Sequence, residues 1–64
     1  MTKDQAIEVC IAQYVKTGAT EARGRFLLRQ ELRTTSASNL ADALVHDGFA
    51  TSDDAPALAH ALFS

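Results

Sequence analysis

The sequence predicts an all-α fold, a small bundle of three to four short helices built as two helix–glycine loop–helix hairpins. Three observations carry this. Apolar residues recur at helical spacing in four separate stretches. Gly18 and Gly48 each fall where a left-handed residue would stop a helix. No stretch shows sustained alternation of apolar and polar residues, and few β-branched residues cluster, so nothing competes as a strand. The helices are expected near residues 3–17, 20–33, 36–47 and 53–63 of a single 64-residue domain.

In the first helix Ile7, Cys10, Ile11 and Tyr14 share one apolar face. Lys16 suits the negative end of the helix, and Gly18 stops it, with Tyr14 positioned to pack on Ala19. Thr20 is a good N-cap for the second helix, and Glu21 suits its positive end. Leu27, Leu28 and Leu32 form the inward arc there. Gly24 lies inside this helix, at a cost of roughly 1 kcal/mol against alanine, which a close crossing with a neighbouring helix would explain. The run Thr34-Thr35-Ser36-Ala37-Ser38 then interrupts, because small hydroxyl side chains compete for backbone hydrogen bonds.

The third helix should start at Ser36 or Ser38, turn Leu40, Ala41, Leu44 and Val45 inward, and leave Asn39, Asp42 and His46 outside. Gly48 stops it, with Phe49 expected to touch Leu44. For the fourth helix Asp53 is the expected N-cap, and Pro56 falls in the first turn, where its missing N–H costs nothing. Leu58, Ala59, Leu62 and Phe63 form its expected buried stripe. The expected core is Ile7, Ile11, Tyr14, Leu28, Leu32, Leu40, Leu44, Phe49, Leu58 and Leu62.

Composition bounds the function. A net charge of -2 with 22% charged residues describes neither an acidic tail nor a basic nucleic-acid coat. Apolar content of 47% is too high for disorder. Met1-Thr2-Lys3-Asp4-Gln5 lacks a basic region followed by a long apolar run, no run reaches membrane-spanning length, and neither end shows a lipidation motif. A cytoplasmic protein away from membranes is therefore expected. Cys10 is the one cysteine, so no internal disulfide can form. Small domains usually need a disulfide, a metal or a partner subunit to supplement a limited core. Here a partner or a second copy is the expected supplement.

No chemistry emerges from spacing. Cys10, His46, Asp47, Asp53, Asp54 and His60 show no zinc-type pairing, and no cofactor is implied. There is no phosphate loop, nucleophile motif or carboxylate pair in an apolar setting. Cys10 sits on an apolar stripe, whereas a nucleophile needs exposure and a positive neighbourhood. The expectation is a protein that is not an enzyme.

The uneven feature is the second helix. Arg23, Arg25, Arg29 and Arg33 place four of the six basic residues on one element. Arg25, Arg29 and Arg33 step by four and form an inclined row. Phe26 lies on the helical wheel between Arg23 and Arg29, away from the inward leucines. Either it is buried against the first or fourth helix, or it is an exposed anchor in an arginine frame, a composition enriched at protein interfaces. Arg23, Arg25, Phe26, Arg29 and Arg33 are the candidate partner-binding residues.

Residues 27–49 also raise a helix-turn-helix. The recognition helix would be Ser36 to Asp47, which has no lysine or arginine and carries Asp42 and Asp47 against the phosphates. Asp47-Gly48-Phe49 followed by Ala59-His60-Ala61-Leu62 resembles the glycine–phenylalanine loop and final helix that ubiquitin-associated three-helix domains present to a partner. This covers under half of the chain, the spacing differs, and Asp47 stands where those domains carry methionine. The helix stop alone accounts for Gly48-Phe49, so no family is assigned. The expected function is a non-enzymatic protein-binding module, a small regulator, adaptor or inhibitor that self-associates or binds a larger acidic protein. The alternative is a nucleic-acid-associated regulator that uses the arginine row.

Overall fold

Helix formation starts at Thr2. Its Oγ1 accepts a hydrogen bond from the Gln5 N–H at 3.1 Å, and the Gln5 side chain accepts from the Thr2 N–H at 2.8 Å, a reciprocal capping box. In the computed structural model, which describes residues 1–63, α1 runs Lys3–Lys16, α2 Glu21–Thr34, α3 Ala37–His46 and α4 Ala55–Phe63, with no strand among the described residues. The all-helical bundle of two hairpins is the architecture the sequence predicts. Its Cα radius of gyration is 10.5 Å, against about 11 Å for a folded chain of this length, so the four helices form one body.

Both glycine stops are Schellman motifs. Gly18 has φ 106° and Gly48 φ 87°. At the end of α1 the Ala19 N–H reaches the Tyr14 carbonyl at 3.1 Å and the Gly18 N–H reaches Val15 at 3.0 Å. At the end of α3 the Phe49 N–H reaches Leu44 at 2.9 Å and the Gly48 N–H reaches Val45 at 3.1 Å. The two helix ends are tied together, since Gln13 Nε2 donates to Asp47 Oδ2 at 2.6 Å and Lys16 Nζ lies 5.3 Å from the centre of the Phe49 ring. Phe49 is thus a half-buried part of a helix stop in a four-helix bundle.

The caps of α2 and α3 lie where the hydroxyls predict. Thr20 Oγ1 accepts from the Arg23 N–H at 3.1 Å, and Ser36, rather than Ser38, accepts from the Asn39 N–H at 3.1 Å. The start of α4 differs from expectation. Thr51 winds a turn first: its carbonyl accepts from the N–H groups of Asp54 and Ala55, both at 3.1 Å, and its Oγ1 accepts from Asp54 at 3.3 Å. This turn delays the helix to Ala55 and places Asp53 inside the turn, so Asp53 is not the N-cap. Pro56 still falls in the first turn.

Packing follows the connectivity, α1 on α2 and α3 on α4, and the two hairpins join chiefly through α1 against α4. Leu40, Leu44, Leu58 and Cys10 are the largest fully buried side chains. Small residues complete the interior: Ala6, Ala37, Ala41 and Ala61 are buried, which lets short helices approach closely. Ile11, Leu28 and Leu62 are buried as expected, while Ile7, Tyr14, Leu32 and Phe49 pack on the core only in part. Phe63 leaves the expected stripe altogether and is 76% exposed. Gly24 is buried where α2 crosses α1, and a Cβ there would stand 3.3 Å from Tyr14 Cβ and 3.5 Å from Ile11 Cγ2. Tyr14 Oη also donates to the Glu31 carboxylate, pinning the same pair of helices.

A candidate protein-binding face on the second helix

The Thr20 cap fixes the start of α2, and burial of Gly24 and Leu28 on α1 fixes its rotation. Phe26 sits about 180° around the wheel from the buried arc, and it is 47% exposed. Burial of Phe26 against the first or fourth helix, the alternative left open by the sequence, is therefore corrected. The second hairpin attaches to α1 and leaves the outer side of α2 bare.

The arginine frame is divided. The Arg23 guanidinium carbon lies 5.1 Å from the centre of the Phe26 ring, a cation–π contact. Arg25 turns the other way and pairs with Glu8 of α1 at 3.2 Å and with Glu21 at 3.1 Å. These pairs are exposed and contribute little stability, but they hold the Arg25 side chain beside α1. Arg29 and Arg33 are exposed and form no ion pair among the described residues. The face thus presents a ring stacked under one arginine, with two further guanidinium groups along the same side.

On the Arg25 side lies a feature that the sequence does not announce. An open trough of about 280 Å³ runs between the start of α1, the middle of α2 and the end of α4. Ile7, Leu28, Leu32 and Leu62 form its floor, and Lys3, Arg25 and Arg29 line its edge. Ile7, Leu32 and Leu62 read as core positions in sequence. Two of them are only partly buried because the trough opens over them. Only the meeting of three helices creates it, and no single stretch carries that signal.

Basic residues are confined to the first hairpin. All six lysines and arginines precede residue 34, alongside Asp4, Glu8, Glu21 and Glu31, whereas after residue 35 the Lys, Arg, Asp and Glu positions are Asp42, Asp47, Asp53 and Asp54 alone. The exposed side of α3 carries Asn39, Asp42 and His46 and no basic residue, which is unsuited to a phosphate backbone.

Chemistry-bearing side chains are held inert or apart. Cys10 is fully buried, and loss of solvation pushes its thiol up to about 11, with the Glu31 carboxylate adding to the rise and a backbone hydrogen bond opposing it. That is the opposite of an activated thiolate. Burial, followed by the bond to Glu31, also raises the Tyr14 phenol well above its usual range. Among the described residues no three His, Cys, Asp or Glu side chains converge as a metal site would require, and no helix is long and apolar enough to cross a membrane. Comparison with protein-family models, with curated proteins and with solved structures finds no match to this chain.

Proposed function

We propose that this chain is a non-enzymatic protein-binding module, a small regulator, adaptor or inhibitor, that engages another protein chain through the outer face of α2. The observation that carries this is Phe26. A half-exposed aromatic in mid-helix, stacked under Arg23 and flanked by Arg29 and Arg33, has the composition of an interface anchor. An aromatic already stacked has less freedom to lose on binding, and arginine can grip a carboxylate with two parallel hydrogen bonds. The partner is either a second copy or a larger acidic protein in the cytoplasm.

The test is Phe26→Ala combined with Arg29→Glu, after circular dichroism has shown that the helices are intact. Loss of a buried aromatic anchor typically costs about 2 kcal/mol or more, on the order of thirtyfold in affinity. The double variant should therefore lose the wild-type oligomeric state in light scattering, or lose the wild-type partner in affinity capture. A folded double variant that retains both makes this face ordinary surface. If the wild-type chain instead binds nucleic acid, with a steep salt dependence that weakens on replacement of Arg25, Arg29 or Arg33, the arginine row serves phosphates.

A further inference from the structure

We infer that the trough between α1, α2 and α4 is the seat for an acidic amphipathic helix of the partner. Its floor is wholly aliphatic, from Ile7, Leu28, Leu32 and Leu62, and about 280 Å³ accommodates one or two large apolar side chains. Its edge is cationic on both sides, with Lys3 on α1 and Arg25 and Arg29 on α2. Arg25 already answers to Glu8 and Glu21, so Arg29 is the edge cation with no ion pair among the described residues. Apolar floor and positive edge together select an occupant that is apolar on one face and carries carboxylates beside it. The trough is open along one side. A free small amphiphile would stay half wet there, whereas small-molecule sites bury most of their ligand. A side chain presented by a helix needs only its tip enclosed, and helix-in-groove recognition uses apolar residues at i, i+3 or i+4, and i+7. α2, about 21 Å long, offers Arg25, Arg29 and Arg33 at one-turn intervals along the path of such a helix. All six lysines and arginines lie on this hairpin against four of the eight carboxylates, and this net positive half steers an acidic segment to this side of the molecule.

This inference rests on the protein-binding role proposed for α2, and because Arg29 borders both features, Leu32→Gln and Lys3→Glu test the trough alone while Phe26→Ala by itself tests the outer face. Peptides from an unbiased displayed library are selected on the full chain, and the enriched sequences are synthesised and titrated by fluorescence anisotropy. The expected enrichment is an amphipathic helical pattern with apolar residues at those spacings flanked by Asp or Glu. Leu32→Gln in the floor should weaken the selected peptides about thirtyfold. Lys3→Glu, at the exposed edge and outside the core, should weaken them several-fold and flatten the dependence on salt. Phe26→Ala should leave them unchanged. Selected peptides without carboxylates, or peptides indifferent to both Leu32→Gln and Lys3→Glu, overturn the proposal, and leave the Phe26 face to stand or fall on its own test. Self-association lost in Leu32→Gln, or decanoate binding in place of any acidic peptide, overturns it in favour of a second copy or a small amphiphile.

Discussion

Gly24 offers a sharp test of how closely the first two helices meet. In an open helix, glycine to alanine gains about 1 kcal/mol, because glycine loses more backbone freedom on folding. Gly24 is helical but not open. The added methyl would stand 3.3 Å from Tyr14 Cβ and 3.5 Å from Ile11 Cγ2. Carbon atoms prefer roughly 3.5–4.0 Å, so the helices must part by a few tenths of an ångström. Tyr14 Cβ cannot swing aside, because it is anchored to the α1 backbone and its phenol is tied to Glu31. Overpacking of this kind costs typically 1–3 kcal/mol, and a single methyl belongs at the low end. The two effects nearly cancel, so Gly24→Ala should stay within about 0.5 kcal/mol of wild type. Gly24→Val adds three carbons and a β-branch, and should lower stability by about 2 kcal/mol or more. Thermal melts followed at 222 nm resolve this, since 1 kcal/mol moves Tm by roughly 4–8 °C in a domain of this size. A Gly24→Ala protein that melts higher by that full amount would show that α1 and α2 do not touch at this glycine.

Leu44→Ala removes a fully buried side chain from the junction of α3 and α4 and should cost about 2–5 kcal/mol, enough to unfold so small a domain; an unchanged melting temperature would refute the packing. Cys10 fixes a pH dependence. Its folded value is about 11 against an ordinary 9.0, so between these the unfolded chain sheds its proton first and stability must fall as pH rises. Urea midpoints should accordingly decline from pH 9 to 11, and more steeply than in Cys10→Ala; equal slopes would refute the burial of the thiol.

Most of the fold was legible because its signals are local. A helix stop needs only a glycine and the two residues beside it, so Gly18 and Gly48 could be placed from sequence, and Thr20 capped as its position demanded. The Thr2–Gln5 capping box was equally local and was overlooked, although a threonine followed three residues later by glutamine is its signature. Asp53 failed for a different reason. Thr51, Ser52, Asp53 and Asp54 all offer side-chain acceptors, and propensity alone does not say which one closes the turn. Phe26 was undecidable locally, and Phe63 was wrongly assigned to the buried stripe, because burial of each depends on how the hairpins meet. The second hairpin lands on α1, away from Phe26. The trough was least legible of all, since its edge and floor come from positions 3 to 62 and exist only once three helices have met.

The contact between α1 and α4 has a consequence for the order of events on the ribosome. Of the four helices α1 precedes the others and finds one partner, α2, once α2 itself has emerged. Its other apolar flank waits until α4 has been synthesised, the last of the four. Through that interval neither hairpin alone encloses a full interior. Closure of the interior should therefore be abrupt, a single locking step in which α4 clasps α1, rather than a gradual accretion of helices.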